Sequence, residues 1–279
     1  MIVYLLTGLS LFSAVNVSFP IEPSGEVYVG KYFNKAETPK ELQYNIDVGI
    51  EVSLDLIDVA GQRLFILYRD DLMSGNDFGA NVTFDPYLAH FDLTAGFRFN
   101  IIDKAAAAFY VKHDCTHYID RAPDSLKVVY NRVTFAAGTP GAFRNKNLDY
   151  ILEGHWSERL NARLIYEWYP HDTVIDALNS TDLYHAWQMD VSFDQPVYEN
   201  IYTSARLHTY LTRIKPKPDA EIEYDPFWGY KVAPQVGVGV LREKAAFELY
   251  LRYWAVADVG DIGFHEPGRW PFLGLHLRF

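Results

Sequence analysis

The chain has 279 residues, 49% of them hydrophobic, and its 36 Asp and Glu outweigh 25 Lys and Arg to give a formal net charge of −11. That balance excludes nucleic acid as a partner, because binding a polyphosphate is driven by Lys and Arg displacing counterions. A single cysteine excludes an intrachain disulfide and a Cys-rich zinc knuckle, while 20 Tyr, 18 Phe and 6 Trp favour pleated sheets and membrane interfaces.

The chain begins with "MIVYLLTGLSLFSAV", an apolar run of signal-sequence length ending in small residues. Residues 1–17 read as a secretory signal peptide, with a buried N-terminal strand as the alternative. Residues 18–279 read as one domain. No later apolar stretch approaches the roughly 20 residues of a spanning helix, so this chain would cross a membrane with strands.

From Tyr44 to Leu56 the residues alternate: Ile46, Val48, Ile50 and Val52 take one face, Asp47, Glu51, Ser53 and Asp55 the other. Side chains of a strand alternate in this way. The pattern returns at 87–100, where Phe91, Leu93, Phe97 and Phe99 oppose His90, Asp92, Thr94 and Arg98. It returns again at 183–193, with Leu183, His185, Trp187 and Met189 opposing Tyr184, Gln188 and Asp190. Weaker versions run near 62–70, 105–117, 126–135, 147–156, 160–169, 201–213, 230–241 and 245–255, and "LGLHLRF" ends the chain. The sum is about twelve strands of roughly the length that crosses a bilayer at a tilt. "GEVYVGKYF" at 25–33 offers a further one.

The fold expected is all-β, a closed antiparallel transmembrane β-barrel of about 12 strands. Charged residues in the middle of polar strand faces suit a filled lumen, and aromatic clusters such as "YEWYP", "DPFWGY" and "LRYW" suit interfacial girdles. The closing strand, with Leu273, Leu275, Leu277 and Phe279 on one face, resembles the assembly signal of bacterial outer-membrane barrels. That resemblance implies a bacterial outer-membrane location, contact with outer-membrane lipids and delivery to the barrel-assembly machinery through Phe279. Joints at "DVAGQ", "IIDK" and "REK" are short, and those at "PHDTVIDALNSTD", "RIKPKPDAEIEYDPF" and "VGDIGFHEPGRW" are long. The alternation of short and long connections fails between about 136 and 161, where one strand is missed or invented.

The motif "HDCTH" lies on the strand that begins "AAAAFYVK". Phe109, Val111, His113, Cys115 and His117 share one phase, so the imidazoles and the thiol should face the way the apolar residues face. Three readings stand open. A metal would be shared by two of them at most, since alternate strand residues stand about 7 Å apart along the chain and zinc needs ligands near 2 Å. A second reading is an interfacial patch at the barrel mouth. The third is nucleophilic catalysis, in which a His two positions from a nucleophile takes its proton and a further polar group orients the ring. In "LKVVYNRVTF" Asn131 shares the phase of Val129 and Val133, and a hairpin through "IDRAPDSLK" brings it beside His113.

His-x-nucleophile followed by Asn-Arg on the next strand resembles outer-membrane phospholipase A, a twelve-stranded barrel with His, Ser and Asn on its outer surface. The resemblance implies an acyl hydrolase with His113 as base, Cys115 at the position of the serine, and Asn131, before Arg132, as orienting amide. It further implies calcium as a cofactor and a homodimer. The phrase around the motif also resembles a second outer-membrane barrel family carrying His-x-Ser-Ser-His and then Leu-Gly-Asp, on which His113, Cys115, Thr116, His117 and Asp120 match. Cys115 stands for serine in both, the phospholipase glycine after the nucleophile is absent, and the spacing to Asn131 is longer. A nearby His lowers a thiol's pKa, whereas apolar surroundings raise it. The function expected first is a noncatalytic barrel, structural or narrow and largely filled by Asp47, Glu51, Asp55, Asp92 and Arg98; the acyl hydrolase is the alternative, and an adhesin or receptor using the long loops is a third.

Overall fold

The alternating segments pair into twelve long antiparallel strands in a computed structural model that describes residues 16–33, 44–75, 85–119, 127–143, 148–170, 174–175, 181–216, 225–257 and 268–279. In chain order they are β1 (Glu22–Tyr32), β2 (Tyr44–Val59), β3 (Gln62–Gly75), β4 (Asp85–Ile102), β5 (Ala105–Tyr118) and β6 (Lys127–Gly138). The remaining six are β7 (Leu160–Trp168), β8 (Thr181–Tyr198), β9 (Ile201–Pro216), β10 (Phe227–Arg242), β11 (Ala245–Ala257) and β12 (Gly268–Arg278). Each strand pairs with its sequence neighbours, and β12 pairs with β1. The sheet therefore closes on itself and leaves no barrel edge unpaired. Gly25 and Phe279 exchange backbone hydrogen bonds of 2.8 and 3.0 Å across this seam.

Two-residue turns at Ala60–Gly61, Asp103–Lys104, Glu199–Asn200 and Glu243–Lys244 lie at one end, the end that also holds the start of β1 and Phe279. Ala60 and Gly61 both have positive φ, 52° and 83°. Such a pair twists with the flanking strands, which is why a hairpin this tight favours glycine. The strand ends that the long connections join lie at the opposite end.

Alternation sends apolar side chains outward, as the sequence predicts. Phe97 is 55% exposed and Leu251 49%, whereas Asp47, Asp55 and Asp92 are buried inside. Two expectations are corrected. Of the segment expected as a strand at 147–156, residues 148–156 are not one: the described residues 139–143 and 148–159 form a 3-10 turn and two short helices, α1 (Tyr150–Glu153) and α2 (Trp156–Arg159), folded into the barrel mouth at the short-turn end, and 147 lies outside the described residues. Leu148 and Ile151, three apart, pack on Tyr202, Leu241 and Ala246, and Phe143 packs on Ala106, Ala108, Ala136 and Ile165. Spacing of three fits a helical turn rather than a strand. The strand at 22–32 replaces it, so twelve stands. The second correction is Leu183, buried inside, while Tyr184 is 50% exposed. The ladder skips from Leu183↔Ile214 to His185↔Arg213, a bulge whose extra residue exchanges the faces of the two side chains.

The lumen is layered. An aromatic cluster that includes Tyr32, Tyr130, Tyr169, Leu183 and Phe272 fills the side toward the long connections. Ion pairs occupy the middle and the plug closes the short-turn end. Arg98 bonds Asp55 and donates to the plug carbonyl of Phe143. On the far wall Arg278 reaches Asp194 and Glu248 at 3.1 and 3.3 Å. Tyr150 of the plug donates to Asp194 at 2.7 Å. Burial, reinforced by that carboxylate, pushes the Tyr150 phenol up, so it stays a donor.

Candidate functional site

His113 stands directly opposite Asn131 in the β5–β6 ladder, and its Nδ1 lies 2.8 Å from Asn131 Oδ1. Both side chains are exposed on the outward face. A ring donating from Nδ1 to an amide oxygen keeps Nε2 as its basic nitrogen. Cys115, next on the same face, sits opposite Val129, and its Sγ is 4.0 Å from Nδ1 of His117. The His117 ring in turn stacks on Phe91 of β4, with centroids 5.3 Å apart. The structure thus brings His113, Asn131, Cys115 and His117 together on one outward patch, in the half of β5 nearer the long connections. The thiol lies within reach of the His117 ring, an association that alternation alone did not single out.

Thr116 and Arg132 share the motif but not the face. Both point inward and are buried. Arg132 bonds Asp114 and reaches Glu167 at 3.0 Å. His90 links the same carboxylate to Asp71, at 2.8 and 3.0 Å. The two strand partners at this point, Lys112↔Arg132 and Asp114↔Tyr130, bracket His113↔Asn131. A slip of one residue would turn Arg132 out into the apolar belt and Asn131 in, so the buried pairing fixes the register that sets His113 against Asn131. Asp120 lies outside the described residues, as do residues 1–15 of the expected signal peptide.

The donors around the patch do not suit calcium. A hard cation asks for six to eight oxygens, several from carboxylates. Outward neighbours here are imidazoles, a thiol, Phe91, Leu93, Val129, Val133, one amide whose oxygen is already bonded to His113, and a single carboxylate, Asp70 of β3, which accepts from Tyr68. The other nearby carboxylates, Asp92 and Asp114, face inward and pair with Lys112 and Arg132. Among the described residues no group of three or more His, Cys, Asp or Glu gathers as a metal site.

No family model matches the sequence, and no curated protein matches it either. Solved outer-membrane barrels do resemble it in fold. An outer-membrane phospholipase dimer of Salmonella typhi with bound calcium is 11% identical over 94% of this chain and 92% of that one, with a TM-score of 0.48. The outer membrane phospholipase A of Escherichia coli is 10% identical over 92% of each chain, with a TM-score of 0.47. The beta domain of the Bordetella autotransporter BrkA is 9% identical over 92% of this chain and 98% of that one, with a TM-score of 0.43. At such identities the likeness is one of barrel architecture and does not choose among activities.

Proposed function

We propose that the protein is a bacterial outer-membrane barrel that hydrolyses acyl esters of outer-leaflet lipids. The observation that carries this reading is the 2.8 Å bond between His113 and Asn131, made on the outward face beside Cys115. Outer-membrane barrels keep short turns on the periplasmic side and long loops outside, a rule that supports an outer-leaflet position for the patch. In the proposed reaction Nε2 of His113 takes the Cys115 proton as sulfur attacks the ester carbonyl. The C–O bond then breaks, the leaving alcohol receives that proton, and a thioester remains. Water, deprotonated by the same imidazole, cleaves the thioester and restores the thiol. Asn131 keeps Nδ1 protonated and the ring oriented throughout. Rotation of the Cys115 side chain away from His117 precedes attack. A second copy of the chain, and the assembly machinery acting on Phe279, are the protein partners that go with this reading.

Protein in mixed micelles with phospholipid or lipopolysaccharide is the test, with free fatty acid as the readout. Cys115→Ala and His113→Ala are each expected to lower release at least about 100-fold, the scale of a lost acid–base partner. Equal release from all three proteins overturns the assignment.

A second reading, a noncatalytic filled barrel, is favoured by the plug and the ion-paired lumen. It predicts a silent planar bilayer. Replacing residues 140–158 with a short Gly-Ser turn should then produce discrete channel steps, and an unchanged silent trace would exclude the plug as the barrier.

A further inference from the structure

On β8, β9 and β10 a second outward patch lies toward the strand ends that the long connections join, apart from the His113 patch on β5 and β6. Thr212 and Ile214 of β9 are buried in the lumen, so Arg213 between them points out. In the ladders it stands opposite His185 of β8 and Trp228 of β10. Its guanidinium carbon lies 5.6 Å from the Trp228 ring centroid, and the His185 ring is 5.4 Å from the same indole. The bulge in β8 adds a further ring. Leu183 and Ala186 are buried inside, which leaves two consecutive side chains, Tyr184 and His185, on the outer face with their rings 5.0 Å apart. Bulges re-aim side chains in this way beside functional sites. Trp187 follows on the same face, exposed like Trp228.

Charge sets this patch apart from an ordinary aromatic girdle. Among the described residues Arg213 makes no ion pair and no hydrogen bond, so its fork of N–H donors is open. Asp70, the outward carboxylate near His117, is on β3, across the ring. An aromatic face steadies a guanidinium without cancelling its charge. Such a charge is costly in hydrocarbon and costs far less at headgroup depth, where an anion can meet it.

We propose that this patch binds the phosphorylated sugar headgroup of an outer-leaflet glycolipid of the lipid A class. The Arg213 fork takes two oxygens of a phosphate monoester, which carries about two negative charges and three strong acceptors. The exposed faces of Trp187 and Trp228 cover the sugar. A phosphodiester headgroup presents less charge and fewer free oxygens to the same fork. The site requires the long connections to lie outside the cell, and it stands whether or not His113 is catalytic.

Native mass spectrometry of the folded protein in neutral detergent micelles tests this, with bisphosphorylated lipid A, its dephosphorylated form, phosphatidylglycerol and inorganic phosphate as probes. A single lipid A per barrel should be held, and the dephosphorylated form at least about tenfold more weakly, the scale of a charge-assisted hydrogen bond. Arg213→Gln should raise Kd by a similar factor, whereas Arg242→Gln, at an exposed arginine of the short-turn end, should leave it unchanged. Heat-modifiable gel mobility shows that both variants fold. The mass of the bound lipid shows whether its acyl chains are intact, so loss of binding is distinguished from loss of hydrolysis. Equal Kd in the two variants, or equal binding of the dephosphorylated lipid, overturns the site. Phosphatidylglycerol bound as tightly overturns the glycolipid headgroup, and inorganic phosphate bound as tightly overturns a lipid ligand. Dimers without bound lipid that Arg213→Gln dissolves overturn it in favour of a second copy of the chain.

Discussion

The two faces of β5 answer the same problem in opposite ways. Facing inward, Lys112 and Asp114 enter a chain of ion pairs through Asp92, Arg132 and His90. Facing outward, His113 bonds an amide and His117 lies on a phenyl ring, with Asp70 of β3 the carboxylate that feels the His117 ring. A closed ring makes the first solution possible, because every inward charge meets partners from neighbouring strands and a shared lumen. The second face of β5 shares its side of the barrel with an apolar belt, and its polar side chains are ones that can stay neutral. Register ties the two together, since the pairing that satisfies Asp114 also sets Asn131 against His113.

The largest expected effect breaks the inward face. Arg132→Ala leaves Asp114 and Glu167 buried without their guanidinium and should cost about 3–5 kcal/mol in urea unfolding followed by gel mobility. Asn131→Ala, one residue away but outward, should cost less than about 1 kcal/mol, the scale of a single exposed hydrogen bond. Equal losses would mean that the two faces are not energetically distinct. Next comes charge placed on the belt. Leu251 sits in the middle of β11 between Val236 and Leu273, and Leu251→Arg should cost about 2–4 kcal/mol in lipid vesicles. A neutral result there would mean that the belt does not meet hydrocarbon. Smaller than the belt change is Tyr150→Phe at the plug, which removes one donor from Asp194 while Arg278 remains and should cost about 1.5 kcal/mol. A change in bilayer conductance in that variant would show that this bond latches the plug.

Much of the wall was legible because alternation is a local property. Ile46 against Asp47, and Phe97 against Arg98, announce their faces without knowledge of any partner strand. The outward phase of His113, Cys115, His117 and Asn131 followed from the same rule. The plug was not legible as a strand because it is none: Leu148 and Ile151 bury together at helical spacing, and the failed alternation of connections between 136 and 161 was its trace. The exchange of Leu183 and Tyr184 was hidden, since a bulge depends on the partner strand β9 and leaves the apolar pattern of β8 intact. The inward cations such as Arg69, Arg163 and Arg206 lay on polar faces of weakly alternating segments, where nothing in the local pattern marks which acid each one meets.

By itself, then, the sequence determined which side chains turn outward along most of the wall, because a period of two is written residue by residue, whereas the identity of one of the twelve strands came only with the structure. Only the tertiary structure decided that His113 meets Asn131, that Cys115 lies within reach of His117, and that Arg213 meets Trp228. Those pairings depend on register and closure, which join residues far apart in the chain and are set by turns, bulges and buried ion pairs acting together.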